Sequence, residues 1–280
     1  MKSGIEVFIR ARPTDNFAYK NITVDQEKNT LSIHIPKKHE DGIINHQQEF
    51  WSFKFDKILM NETQEHIFEF TGKRAVSSLV DGISCSLLTY GQTGAGKTFT
   101  VIGLNNDYRF RGLIPRAISQ LFHEINTKTD CSFKVKLNFI EIYNENIHDL
   151  INKELNTTIT LQEDPIYGVM PKGSMVIEVN SEEEALALMF QGETNRTIRE
   201  HSLNKLSSRS HALFTIILEA RSKFESKEKV TVSKLNIIDL AGSERSKKTL
   251  SRGGTLLEAS FINKSLSYLE QLVVAYSENK

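Results

Sequence analysis

Short runs of apolar residues, continuous or alternating with polar ones, recur along the chain, and longer runs with helical spacing lie between them. Glu6 to Arg12, Trp51 to Phe55, Ser84 to Tyr90, Phe133 to Tyr143, Ala212 to Ala220 and Val232 to Leu240 predict strands. Ser84 to Tyr90 lacks period-two alternation, the pattern of a strand covered on both faces. Phe133 to Phe139 alternates like a half-exposed one. Ser181 before Glu182, Glu183 and Glu184 is an N-cap with acidic residues in the first turn, and Ala185, Leu186, Leu188 and Met189 supply an apolar face. That helix is expected to run to about Gln191. Another is expected over roughly Thr255 to Ala275, where Leu256, Phe261, Leu266, Leu269 and Val273 sit near helical spacing. The alternation implies an α/β fold, a mixed sheet with helices on both sides. No repeat, low-complexity segment or Pro/Gly-rich linker divides the chain, so one domain over residues 1–280 is expected.

Composition narrows the function classes. Of 280 residues, 39% are hydrophobic and 25% charged, enough to bury a substantial core. Lysine plus arginine equal aspartate plus glutamate at 35 each, which removes the case for a globally basic nucleic-acid binder and leaves local charge to interpret. Cys85 and Cys131 lie in or near apolar runs without metal-ligand spacing and are expected to be buried thiols in a reducing compartment. Residues 1–10 lack the apolar stretch of a signal peptide, and no run approaches the roughly 20 residues of a membrane span. A soluble intracellular chain without a membrane partner is the expectation. The sequons at Asn21 and Asn195 are then chance matches.

The segment from Gly91 to Thr98, GQTGAGKT, fits G-x-x-x-x-G-K-[ST] and directly follows the apolar run ending at Tyr90. Glycines there let the backbone curl so that successive N–H groups point at a phosphate, while a following helix adds the positive end of its dipole. Lys97 would reach the β- and γ-phosphates, and the Thr98 hydroxyl would ligate Mg²⁺. This pattern leaves ATPases, GTPases, kinases and motors open. Two more segments suit a γ-phosphate sensor. An apolar run ends in Asp239, whose carboxylate could hold Mg²⁺ through water, and Gly242 follows three residues on. Upstream, Asn204 to His211, NKLSSRSH, packs hydroxyls and one guanidinium into a polar loop. Alone, each is more readily a turn or a solvated loop.

Together GQTGAGKT, NKLSSRSH and DLAGSE, in that order, resemble the P-loop, switch I and switch II of kinesin motor domains. The resemblance runs from Arg10-Ala-Arg-Pro13 through Gly112 to Arg116 and Glu141 to Glu145 to Ile262 to Leu266, nearly the whole chain. Val7 to Phe17, Asn45 to Gln48, Trp51 to Phe55 and Gly192 to Thr197 look most like the subfamily numbered nine, associated with cilia and flagella. It departs from many members at Ser84-Cys85-Ser86 and at Phe99, which removes no catalytic group. The resemblance implies a P-loop NTPase motor fold. Arg10 and Pro13 would meet the adenine. Gln92, Thr93, Gly94, Ala95, Gly96, Lys97 and Thr98, with Phe99 beside them, would hold ATP. Thr98 and Ser208 would meet Mg²⁺, with Asp239 behind them. Ser207 would position the attacking water, Gly242 would read the γ-phosphate, and Arg209 would pair with Glu244 when ATP closes the two switches. Glu244 could then accept a proton through a water relay.

Between Arg245 and Lys264 the basic residues Arg245, Lys247, Lys248, Arg252 and Lys264 face Glu258 alone, about +4 within a neutral chain. A solvated loop has this look too, but its place after the sensor suggests coupling. In the family this stretch meets the acidic microtubule surface, with a lesser contact near Gln162 to Gly168. The reading is therefore a microtubule-stimulated ATPase in the cytoplasm and cytoskeleton, with a cilium or flagellum as the finer location. A catalytically impaired microtubule-binding fragment or splice form is the alternative, and a P-loop switch outside the motor families is a third. The resemblance also implies that the last core strand, closing helix, neck linker and dimerisation segment are missing, leaving two inner strand edges unpaired and a chain that folds poorly alone.

Overall fold

The runs Phe133 to Tyr143, Ala212 to Ala220 and Val232 to Leu240 become the middle of the largest sheet. In the computed structural model, residues 4–36, 48–104, 107–152, 158–202, 209–224, 230–244 and 254–278 are described. They form two compact units, 1–63 and 64–280.

In the first unit, β1 (Phe8–Ala11) runs parallel to β5 (Lys57–Met60), in register at Arg10 and Leu59. β2 (Ile22–Asp25), β3 (Thr30–His34) and β4 (Phe50–Lys54) form an antiparallel sheet. The Val7 N–H donates to Asp56 Oδ2 at 2.7 Å, tying the entry of β1 to the turn before β5. Arg10 is half-buried on β1 and Pro13 is exposed just beyond it. No change of composition marks the end of the unit. Asn61, at φ 55, turns the chain out of β5.

The second unit contains α1 (Gln64–Phe70), α2 (Gly72–Val80), β6 (Cys85–Thr89), α3 (Lys97–Val101), α4 (Leu113–Thr127), β7 (Cys131–Tyr143) and β8 (Asn146–Asp149). It continues with β9 (Thr160–Asp164), β10 (Gly168–Lys172), β11 (Ile177–Val179), α5 (Glu182–Ser202), β12 (His211–Ser222), β13 (Val230–Asp239) and α6 (Gly254–Glu278). The sheet order is β11-β7-β12-β13-β6, with β8 pairing on β7 and β6 parallel to β13. β9 and β10 make a separate hairpin. Phe139 of β7 and Phe214 of β12 meet edge to face with centroids 5.3 Å apart, at the centre of a core that includes Ile216, Leu235 and Ile237. α2 packs on β6 and β13, α4 packs on α2 and α5, and α5 packs on β7 and β11.

Four expectations change. β6 is not covered on both faces. Its burial alternates, with Leu88 45% exposed, and among the described residues β13 is its sole neighbour in the sheet. β7 alternates only at its start and is then buried, since β12, β11 and β8 all pair with it. Cys85 and Cys131 are free but only half-buried, as they sit on that edge strand and at the open start of β7. α5 passes Gln191 and runs to Ser202. Gly192 reads as a helix stop, yet a Cβ there would lie 2.3 Å from the Phe139 ring, so its lack of side chain serves close packing inside the helix. Its N-terminus is as expected, with the Glu184 N–H donating to Ser181 Oγ at 3.2 Å.

α6 spans the expected segment, but the apolar face is poorly covered: Leu266 is 5% exposed, whereas Leu272, Val273 and Val274 lie open. Among the described residues no helix is long and apolar enough to cross a membrane.

Candidate functional site

The parallel pairing of β6 with β13, Thr89 opposite Asp239, carries two separate chain segments to one end of the sheet. From β6 the chain leaves through Gly91, and Gly94 and Gly96 take φ of 79 and 95, a region open to glycine at no steric cost. Gln92, Thr93, Gly94 and Ala95 are consequently exposed as a curled backbone rim. α3 begins at Lys97 and lasts only one turn, so an anion here would meet the rim's N–H groups rather than a long helix dipole. The Lys97 ammonium is folded back on the rim, donating to the Gly91 and Gln92 carbonyl oxygens at 2.8 and 3.0 Å. Burial lowers its pKa, while the charges of Asp239 and Glu244 push the other way. Phe99 points elsewhere, with its ring 6.3 Å from that of Phe110.

β13 delivers Asp239 and the loop after it. The Ser243 N–H donates to the Gly91 carbonyl at 3.1 Å, joining that loop to the rim. Glu244 then accepts the Thr93 N–H at 2.8 Å and the Thr93 hydroxyl. Burial raises the Glu244 pKa, but the Thr93 donors and the Lys97 charge outweigh it and hold the carboxyl below its ordinary value. Gly242 is buried under this contact, where a Cβ would lie 2.4 Å from Glu244 Oε2 and 2.5 Å from Thr93 Oγ1. The Thr93 contact was not legible in the sequence.

Behind the rim lies a buried charge cluster. Thr98 Oγ1 donates to Asp239 Oδ2 at 2.7 Å, and Arg196 Nη1 of α5 donates to the same oxygen at 3.0 Å. Arg196 also approaches Glu141 of β7 at 3.9 Å and Glu193 at 4.0 Å, and Arg199 approaches Glu141 at 3.3 Å. Burial pushes the Glu193 carboxyl up, partly offset by Arg196. Arg196 and Glu141 lie in stretches that carried the family resemblance, but the sequence assigned neither a role. The available signal was the apolar stripe of α5 continued by Met189, Gly192 and Arg196 at helical spacing. Replacing Arg196, 1% exposed, by alanine removes the guanidinium that contacts buried Asp239, while Glu141 keeps Arg199. A loss of about 3–5 kcal/mol is expected from chemical denaturation, against a total stability of about 5–15 kcal/mol.

The residues present fit a nucleotide-bound magnesium ion. Among the described residues, Asp239 Oδ1 is buried with no hydrogen-bond partner, the state of a carboxylate oxygen that awaits a water or ion. Also among the described residues, no cluster of three or more His, Cys, Asp or Glu could hold a metal unaided, so Thr98 and phosphate oxygens would have to contribute. Ser207, Ser208 and the basic residues Arg245, Lys247, Lys248 and Arg252 lie outside the described residues. Arg209, just ahead of β12, is half-buried. Lys264 of α6 reaches Glu145 at 3.3 Å in the β7 to β8 turn. Gln162 to Gly168, expected from the resemblance to be a lesser contact, includes the tip of the β9–β10 hairpin, where Asp164 Oδ1 accepts the Ile166 and Tyr167 N–H groups, both at 2.8 Å, and Ile166 is 68% exposed.

Residues 10–280 match the family described as Kinesin motor domain. The chain is 44% identical over 282 residues to Kinesin-like protein KIF9 of Mus musculus, covering 99% of this chain and 36% of that protein. It is also 44% identical over 279 residues to Kinesin-like protein KLP1 of Chlamydomonas reinhardtii, again 99% of this chain and 36% of the relative. The chain thus spans 36% of the length of these curated relatives. Among solved structures, that of a fast kinesin, described for its ATPase mechanism and interactions with microtubules, superposes with a TM-score of 0.83 at 31% identity, over 99% of this chain and 76% of that one.

Proposed function

We propose, from the premise that this chain belongs to the kinesin motor domain family and shares 44% identity with KIF9 over nearly its whole length, that it is an ATP-hydrolysing motor domain whose nucleotide state governs its hold on microtubules. The observation that carries the reading is the meeting of Lys97, Thr98, Asp239 and Glu244 at one glycine-rich rim. In this reading Lys97 leaves the Gly91 and Gln92 carbonyls to neutralise the terminal phosphates of ATP, and the N–H groups from Gln92 to Thr98 surround them. Thr98 and Ser208 would hold magnesium, with the Asp239 carboxylate in support. Magnesium, when bound, neutralises phosphate charge. The Gly242 N–H meets the γ-phosphate, Glu244 exchanges Thr93 for Arg209, and Ser207 orients the attacking water. Glu244 then accepts that water's proton through a relay.

The track is assigned to the basic segment from Arg245 to Lys264. Replacing Lys247, Lys248 and Arg252 together by alanine should weaken microtubule binding and flatten its salt dependence, because exposed charges act over about 8 Å at physiological ionic strength. Co-sedimentation across a salt series checks this, and an unaltered slope moves the main contact elsewhere. The location proposed is the microtubule cytoskeleton and, by the subfamily resemblance, a cilium or flagellum. Phosphate release with and without microtubules tests the whole reading. Stimulation is the expected result. Binding without turnover marks a non-motile microtubule-binding form, and indifference to microtubules marks a P-loop switch outside the motor families.

A further inference from the structure

His211 opens β12, is 9% exposed, and is held at its backbone opposite Ile142 of β7. Its ring joins the chain just after β13 to α6. Nδ1 accepts the Ala241 N–H at 3.0 Å, and Nε2 lies 2.8 Å from Ser265 Oγ on α6. Because Nδ1 accepts, the ring proton belongs on Nε2, which donates to Ser265, and the Ser265 hydroxyl donates in turn to the Ile262 carbonyl at 2.9 Å. Burial is the main cause lowering the His211 pKa, with Arg196 and Lys97 acting the same way and Asp239 opposing, so the ring is neutral as this chain requires.

Ala241 is fully buried and precedes Gly242, while Ser265 precedes Leu266, the apolar residue that seats α6 in the core. The ring therefore stands between the backbone that would meet the γ-phosphate and the anchored turn of α6. Any shift of residues 241–242 toward a phosphate must tilt the ring or break its bond, since hydrogen bonds weaken steeply once stretched or bent. We propose that His211 is the positioning residue that couples the γ-phosphate loop to α6 through Ser265, an inference that rests on the nucleotide-dependent microtubule binding read above.

The test uses the full chain with a non-hydrolysable ATP analogue, ADP and microtubules, and reads the ratio of microtubule affinities in the two nucleotide states. Ser265→Ala should shrink that ratio by about three- to tenfold, the size of one net hydrogen bond, while affinity for the ATP analogue itself is retained. Ser265→Thr, which keeps the hydroxyl, should restore it. A role in folding alone would lower the melting temperature without changing the ratio. His211→Asn keeps an acceptor near Nδ1 but cannot reach Ser265, so it should behave as Ser265→Ala, and combining the two should cost nothing more. If Ser265→Ala keeps the parental ratio, the coupling is wrong although the motor reading stands. If the parent itself binds microtubules equally in both states, the motor reading falls and the coupling with it.

Discussion

Replacing Lys97 by alanine should lower ATP affinity roughly a hundredfold while leaving the chain folded. A hydrogen bond to a charged group is worth about 1.5–3 kcal/mol, and each 1.4 kcal/mol is tenfold in affinity. The β- and γ-phosphates would lose the one P-loop side chain that brings positive charge to them. The fold loses little, because the ammonium's recorded partners are two carbonyl oxygens of the exposed rim. Titration with a fluorescent ATP analogue, alongside a thermal melt, checks both halves. Unchanged affinity would remove the phosphate assignment.

Glu244→Ala should leave ATP binding intact and slow hydrolysis by about 10²–10⁴, the usual worth of a positioned general acid or base. The substitution removes both the proposed proton acceptor and the partner assigned to Arg209. The structure adds a second expectation. Glu244 now occupies the Thr93 N–H and hydroxyl, donors on the rim that ATP must approach, so its removal frees them and ATP affinity should not fall. A single-turnover experiment separates binding from chemistry. Strong microtubule binding should persist with ATP, and turnover at the parental rate would contradict the gate.

What was legible in the sequence is what short stretches of chain decide for themselves. GQTGAGKT curls as read because positive φ is a property of individual glycines, and Ser181 caps α5 because an N-cap needs only the next three residues. Strand periods likewise located the main strands of the large sheet, and the motif order pointed to the family that the comparisons show. Gly192 misled because a glycine's packing use looks the same in sequence as its use as a helix stop.

The sequence by itself determined the phosphate rim, the Asp239 strand end and the α/β class, since each is encoded within a few neighbouring residues. Tertiary structure alone decided that Glu244 rests on Thr93, 151 residues away, and that Thr98 and Arg196 share one oxygen of Asp239 from 141 and 43 residues away. It also decided that His211 spans from Ala241 to Ser265, and that β6 is half-exposed. No local pattern specifies these, because a side chain's partner, and hence its charge state and burial, depends on which distant strand or helix the sheet order brings beside it.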